Sequence, residues 1–136
     1  MNPDFRPIEK KELSPFRKDW KRLNEQIGIE FKDNKYYFGI FVEGKIIGYV
    51  YFRIMGGRCY MDEFMIKEEF RREGIGTKTF EWLEDFAGKK DCHKMLLKTT
   101  NKHLILNLAK RLGYKEEAIL KDDAFHLDWI YLSKAI

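Results

Sequence analysis

The chain has 136 residues, of which 44% are hydrophobic and 15% aromatic, and it carries a formal net charge of +4. This length predicts a single domain over residues 1–136, and the aromatic content excludes a disordered chain. No apolar run is long enough to cross a bilayer, and the N-terminal segment Met1-Asn2-Pro3-Asp4 has no apolar signal core. We therefore expect a cytoplasmic protein without a membrane partner.

The distribution of charged residues, cysteines and histidines bears on whether the protein binds nucleic acid or a metal ion. The basic residues are dispersed among 22 acidic ones without a long Lys/Arg block, which disfavours nucleic acid as a partner. Cys59 and Cys92 are the only cysteines, and neither they nor the histidines have the spacing of a metal site. We expect no metal cofactor.

An amphipathic helix is predicted near the N-terminus. Ser14-Pro15 is typical of an N-cap followed by proline in the first turn, and Gly28 of a helix end. Between them the apolar side chains recur at helical spacing, at Phe16, Trp20, Leu23 and Ile27. We interpret the Phe16 and Trp20 stripe as core rather than as a platform for stacking bases.

Three strands are predicted next, because aromatic and β-branched residues take over. They cover residues 36–42, 46–55 and 59–66, and are joined by the short turns Glu43-Gly44 and Gly56-Gly57. Turns of this length predict an antiparallel meander.

The rest of the chain alternates helices and strands. Apolar spacing predicts helices over 74–87 and 104–112, and a buried strand over 95–97. Two further strands are predicted over 114–120 and 125–132. The order indicates one α/β domain in which about three helices flank a mixed, mostly antiparallel sheet.

The segment between the third strand and the second helix contains a candidate ligand-binding motif. Arg71, Gly74 and Gly76 form the pattern R-x-x-G-x-G at the start of a helix. Glycines there let a ligand approach the backbone, and free N–H groups at the positive end of the helix dipole favour a phosphate. No Gly-Lys-Ser/Thr follows and the first glycine of the dinucleotide fingerprint is absent, so this is neither of those phosphate sites.

This run resembles the acetyl-CoA-binding motif R/Q-x-x-G-x-G/A of GNAT acetyltransferases. Leu112-Gly113-Tyr114 resembles the L-G-F/Y element of the same family, and the order of elements is similar over about 5–132. The resemblance implies an acetyl-CoA-dependent N-acetyltransferase that works by direct attack in a ternary complex.

The resemblance also implies how acetyl-CoA binds. The sheet would splay open between the 59–66 strand and the 95–97 strand, and the pantetheine arm would pair with the backbone of Phe64, Met65 and Ile66. Asn101 falls within one residue of a family position that contacts the cofactor, and a loop or helix-cap role is its alternative. The pyrophosphate would take backbone N–H groups beside Arg71, namely those of Arg72, Glu73, Gly74, Ile75, Gly76 and Thr77.

Asp62 and Glu63 are the candidate catalytic bases. An alkylammonium with a pKa of about 10 must lose a proton before it attacks, and a carboxylate can accept that proton. Strand alternation would place the two acids on opposite faces, with Asp62 on the face of Phe64 and Ile66 unless the strand is bulged. Asp62 falls at a position where GNAT members commonly have an acidic residue. The resemblance therefore favours Asp62 as the catalytic base, with Glu63 as the second candidate.

A tyrosine that many family members use to protonate the CoA thiolate is absent. Its position, four residues before Gly113, is Ala109. A non-catalytic acyl-CoA-binding or regulatory module is therefore the alternative function. The local run resembles diamine and polyamine acetyltransferases, so a small cationic amine is the expected acceptor, and an aminoglycoside or a protein amine is the alternative. We expect a monomer or homodimer.

Overall fold

A computed structural model describes all residues from Met1 to Ile136, and the chain divides into two compact units, Met1–Phe31 and Lys32–Ile136. The first unit holds a 3-10 turn, Lys10–Leu13, followed by helix α1, Ser14–Glu25. The predicted proline in the first turn is confirmed, but Ser14 is already helical and Leu13 is the cap residue that precedes it.

The apolar stripe of α1 is not buried, contrary to expectation. Phe16 is 64% and Trp20 57% exposed, and the ring of Trp20 stacks on that of Phe31 with centroids 6.4 Å apart. A unit of this size has too few apolar side chains to enclose its own stripe.

The second unit is a six-stranded sheet with two helices. Spatial order is β1-β2-β3-β4-β6-β5, and only β3 and β4 run parallel. The predicted mixed, mostly antiparallel fold is confirmed. The elements are β1 Asn34–Val42, β2 Lys45–Met55, β3 Arg58–Ile66, α2 Ile75–Lys89, β4 Lys94–Thr99, α3 Ile105–Arg111, β5 Lys115–Leu120 and β6 Trp129–Ala135.

The last strand begins later than the predicted 125–132. Ala124–His126 form a 3-10 turn in which Phe125 and His126 have positive φ. The indole Nε1 of Trp129 donates to the Ala124 carbonyl over 2.8 Å and closes this turn, so a regular strand starts only at Trp129.

One face of the sheet carries the core. Phe80 and Leu83 of α2 and Leu106 of α3 pack on alternate sheet residues. Those sheet residues are Val50, Phe52, Ile54, Cys59, Met61, Met95, Leu97, Ile130 and Leu132. We call the opposite side the far face; it carries Tyr37, Tyr49, Tyr51, Arg53, Tyr60, Asp62, Glu63 and Met65.

None of the helices is both long and apolar enough to span a bilayer.

Candidate functional site

The sheet opens between β3 and β4. Their parallel pairing runs only from Arg58 opposite Lys94 to Met61 opposite Leu97. Beyond that pair β3 continues to Ile66 and β4 continues to Thr99 without pairing to each other. The opening lies between the two strands for which the family resemblance implies it.

The β3 edge of the opening presents backbone hydrogen-bonding groups. Lys67 N–H donates to the Ile47 carbonyl over 2.7 Å, which makes these residues a hydrogen-bonded pair between β2 and β3. Antiparallel pairing alternates, so the backbone of Phe64 and Ile66 turns away from β2 and toward the opening. An extended ligand can pair with this edge.

Arg71 holds the following loop against the end of β3. Its guanidinium Nε donates to the Ile66 carbonyl over 2.9 Å, in a partly buried position. The arginine of the R-x-x-G-x-G motif is thereby engaged by protein backbone. This contact holds the loop beside the end of β3.

The loop leaves a run of N–H groups without acceptors. Arg72 and Gly74 have φ values of 66° and 76°, in the left-handed region. No N–H group from Arg72 through Thr77 donates to a protein acceptor, and the first hydrogen bond of α2 is donated by Lys78 to the Gly74 carbonyl. Such a run at a helix start has the geometry and the positive electrostatic potential that favour an anion.

The two motif glycines are required for different reasons. A Cβ on Gly74 would meet no atom within 4 Å, so the positive φ is what favours glycine there. A Cβ on Gly76 would lie 2.9 Å from Leu108 Cδ2 and 3.9 Å from Phe64 Cζ. Gly76 therefore lets the start of α2 approach α3 and the end of β3.

A bulge in β3 changes the predicted directions of the acids. Tyr51 pairs with Glu63 and Phe52 pairs with Met61, so Asp62 is an extra residue without a partner on β2. The expectation that Asp62 shares a face with Phe64 and Ile66 is wrong. The bulge places Asp62 and Glu63 together on the far face.

Asp62 and Glu63 have different partners there. Asp62 accepts from Arg53 Nε over 2.7 Å and from its terminal nitrogen over 2.9 Å, and this hydrogen-bonded pairing raises the pKa of Arg53. Glu63 accepts a single hydrogen bond of 3.2 Å, from the Tyr49 hydroxyl. Burial and the Glu63 carboxylate raise the pKa of Tyr49, so this hydroxyl remains a donor. Glu63 is the acid without a cationic partner.

Arg53 and Tyr49 were missed by sequence reasoning. Both lie on β2, where Tyr49, Tyr51 and Arg53 alternate with the buried Val50 and Phe52. That alternation is readable in the sequence and places them on one face. Their pairing with the acids depends on the β3 bulge, which no local pattern indicates.

Asn101 lies in the turn between β4 and α3. It is exposed and its side chain makes no hydrogen bond. The residue that precedes α3 as its cap is Leu104, so Asn101 does not cap the helix. Its amide is free for a ligand at the β4 side of the opening.

Comparison with known proteins agrees with this geometry. The model of the acetyltransferase (GNAT) family matches residues 3–114. The chain belongs to this family. A search of curated proteins gave no match.

Solved structures share the GNAT fold at low sequence identity. An acetyltransferase from Bacillus cereus ATCC 14579 superposes with a TM-score of 0.79 at 19% identity, covering 98% of each chain. The ribosomal-protein-S18-alanine N-acetyltransferase from Escherichia coli has a TM-score of 0.68 at 14% identity, covering 95% of this chain and 90% of that one. A Bacillus anthracis acetyltransferase in complex with acetyl coenzyme A has a TM-score of 0.70 at 14% identity, covering 79% and 66%.

The position of the family tyrosine is part of the core. Ala109 is fully buried, and it packs in the core cluster with Leu106, Phe80 and Tyr114. Tyr114 does not replace the missing hydroxyl, because its own hydroxyl is buried without a partner and burial raises its pKa. No tyrosine hydroxyl is provided from this helix.

Ala109→Tyr is therefore expected to destabilise the protein without raising turnover. A ring forced into this site overpacks the core and lowers the free energy of unfolding by about 1–3 kcal/mol. Denaturant titration measures the loss. Ala118→Tyr, on an exposed strand position, is the control and should leave stability unchanged. A stable Ala109→Tyr variant with faster thiol release would show that the site has room for a catalytic tyrosine.

Proposed function

We propose that this GNAT protein binds acetyl-CoA and transfers the acetyl group to a primary amine by direct attack in a ternary complex. The observation that carries the proposal is the run of acceptor-free N–H groups from Arg72 through Thr77 beside the open edge of β3. Acetyl-CoA would supply an activated acetyl thioester at that edge.

The helix start would bind the pyrophosphate of CoA. The free N–H groups and the positive end of the α2 dipole both favour phosphate oxygens. The side chains of Arg72 and Lys78 are exposed and form no ion pair, so they add positive charge nearby. Asn101 would contact the cofactor from the β4 side.

The edge of β3 would bind the pantetheine arm and the reacting carbonyl. The outward-turned N–H groups of Phe64 and Ile66 and the Phe64 carbonyl are the groups available for pairing, along the Phe64, Met65 and Ile66 segment. The N–H of Phe64 lies next to the acids and would stabilise negative charge that develops on the carbonyl oxygen.

Glu63 is our candidate for the base. It would accept the proton of the ammonium, whose pKa is about 10, and the neutral amine would attack the acetyl carbon. Asp62 is the second candidate, since its carboxylate accepts hydrogen bonds from two guanidinium nitrogens of Arg53. Tyr49 keeps the Glu63 carboxylate directed toward β2.

The remaining steps need no protein nucleophile. Burial raises the pKa of Cys59 to about 12, so this thiol stays protonated and is a poor nucleophile. The leaving CoA thiolate would take its proton from water, because position 109 offers no hydroxyl.

The test is thiol release in mixtures of the protein, acetyl-CoA and a series of primary amines. We expect release that depends on both the amine and the protein, together with a mass increase of the amine by one acetyl group. Calorimetry with CoA measures binding separately. The buried Ala109 favours a second candidate, a non-catalytic acyl-CoA-binding module, which would bind CoA without releasing thiol.

The acceptor class, assembly and location follow as lesser proposals. A small amine is favoured over a protein amine, and a monomer or homodimer in the cytoplasm is expected. Neither nucleic acid nor a metal has a role in the proposed reaction.

A further inference from the structure

Three side chains form a ladder across the far face, directly opposite one another. Tyr37 of β1 pairs with Tyr51 of β2, and Tyr51 pairs with Glu63 of β3. The rings of Tyr37 and Tyr51 meet edge to face with centroids 4.5 Å apart. Adjacent strands lie about 5 Å apart, so the ladder extends about 10 Å from Glu63.

The ladder has an anionic end and an aromatic end. Glu63 lies at the opening of the sheet and has no cationic partner. Tyr37 is 71% exposed, and Tyr51 is half-buried between it and Glu63. If the ammonium of an amine bound at Glu63, the carbon chain of that amine would lie against the rings of Tyr51 and Tyr37.

Charges next to the ladder disfavour a second cation. Arg53 of β2 and Lys35 of β1 lie opposite each other. They form the next cross-strand pair on this face beside Tyr51 and Tyr37. Arg53 forms ion pairs with Asp62 and, over 3.9 Å, with Asp33. Lys35 forms no ion pair. A diamine whose far ammonium reached Tyr37 would meet the Lys35 ammonium.

From these contacts we infer that Tyr51 and Tyr37 are specificity-determining residues, and that the acceptor is a primary amine with a single charge and an apolar or aromatic stem. This inference rests on the proposed acetyl transfer. The ammonium is placed at Glu63, and the stem lies along the rings of Tyr51 and Tyr37. It narrows the acceptor to a class distinct from diamines and polyamines.

The experiment compares ethylamine, n-hexylamine and hexamethylenediamine as acceptors with the intact chain. Ethylamine is too short to reach Tyr37 from Glu63, so it reports acetyl transfer alone. We expect kcat/KM to be at least about tenfold higher for n-hexylamine than for ethylamine, because apolar contact with the stem lowers the free energy of the transition state. The diamine should fall below n-hexylamine.

The variants Tyr37→Thr and Tyr51→Phe test whether the two rings cause the preference for n-hexylamine. Since Tyr37 is largely exposed, Tyr37→Thr should fold normally and lower kcat/KM for n-hexylamine about threefold to tenfold, while leaving ethylamine turnover and CoA affinity unchanged. Tyr51→Phe retains the ring and should retain the preference.

The outcomes separate the two proposals. Turnover of ethylamine with no preference for n-hexylamine, or with the diamine as the best acceptor, would overturn the ladder inference and leave acetyl transfer standing. Thiol release with none of these three amines would overturn the inference, and the wider series of primary amines described above then tests the proposed function by itself. A Tyr37→Thr variant that loses ethylamine turnover equally would show a structural role for Tyr37 and would also overturn it.

Discussion

Gly76→Val is expected to weaken CoA binding about a hundredfold or more in a protein that still folds. Valine at this position points at Leu108 Cδ2 and at the Phe64 ring, where a Cβ alone already comes within 2.9 Å of Leu108. The start of α2 must move to admit it, and the N–H run of Arg72 through Thr77 moves with it. Two misdirected hydrogen bonds to a charged phosphate are sufficient for such a loss.

Stability and affinity must be measured separately for this variant. Overpacking against Leu108 lowers the free energy of unfolding by about 1–3 kcal/mol, which denaturant titration reports, and calorimetry reports the Kd for CoA. Gly88→Ala lies in the same helix with no atom within 4 Å of the new Cβ, so it should bind CoA normally and be slightly more stable.

A double variant identifies the cause of the loss. Gly76→Val with Leu108→Ala removes the atom that the new side chain meets, so α2 can return toward its place and part of the affinity should return. A folded Gly76→Val protein with unchanged CoA affinity would contradict the assignment of the anion site to this helix start.

Most of the fold was predictable because its signals are local. Periods of apolar residues mark α2, α3 and the strands, and the turns at Glu43-Gly44 and Gly56-Gly57 define the meander. The anion site was predictable for the same reason, since Gly74 and Gly76 lie at the boundary of a strand and a helix. The position of the opening came from resemblance to a family, not from a pattern in the residues.

The acids were harder to place because their direction depends on pairing between strands. Nothing in Met61-Asp62-Glu63-Phe64 indicates an extra residue, and regular alternation would separate the two carboxylates. The engagement of Asp62 by Arg53 depends on the same bulge. Ala109 was ambiguous in a different way, because a small residue on an apolar helix face fits either a core or a vacated site, and only its full burial decides between them.

Glu63→Gln is expected to lower kcat/KM at neutral pH about a hundredfold or more, with little change in the Kd for CoA. The amide is nearly isosteric with the acid and can still accept from Tyr49, but it cannot take a proton from the ammonium. Turnover should recover as the pH rises toward the amine pKa of about 10, where the acceptor loses its proton to solvent. The measurement is the pH profile of thiol release for the wild type and the variant.

Asp62→Asn is the matched comparison and should have the smaller effect on rate. Its carboxylate is already held by two guanidinium nitrogens of Arg53, so its loss removes a partly exposed ion pair and costs about 1 kcal/mol of stability or less. A larger loss of turnover in Asp62→Asn, with recovery at high pH, would show that Asp62 is the base and that Arg53 releases it when the amine binds.

Arg53→Gln tests whether the ion pair is what separates the two acids. Without Arg53, Asp62 is a free carboxylate on the same face as Glu63. Adding Arg53→Gln to Glu63→Gln should therefore restore part of the turnover at neutral pH, because a proton acceptor is again available beside the opening. Arg53→Gln alone should leave turnover near the wild-type value, since Glu63 is intact. If the double variant is as slow as Glu63→Gln and both remain folded, the position of the carboxylate on β3, and not its release from Arg53, determines which acid acts.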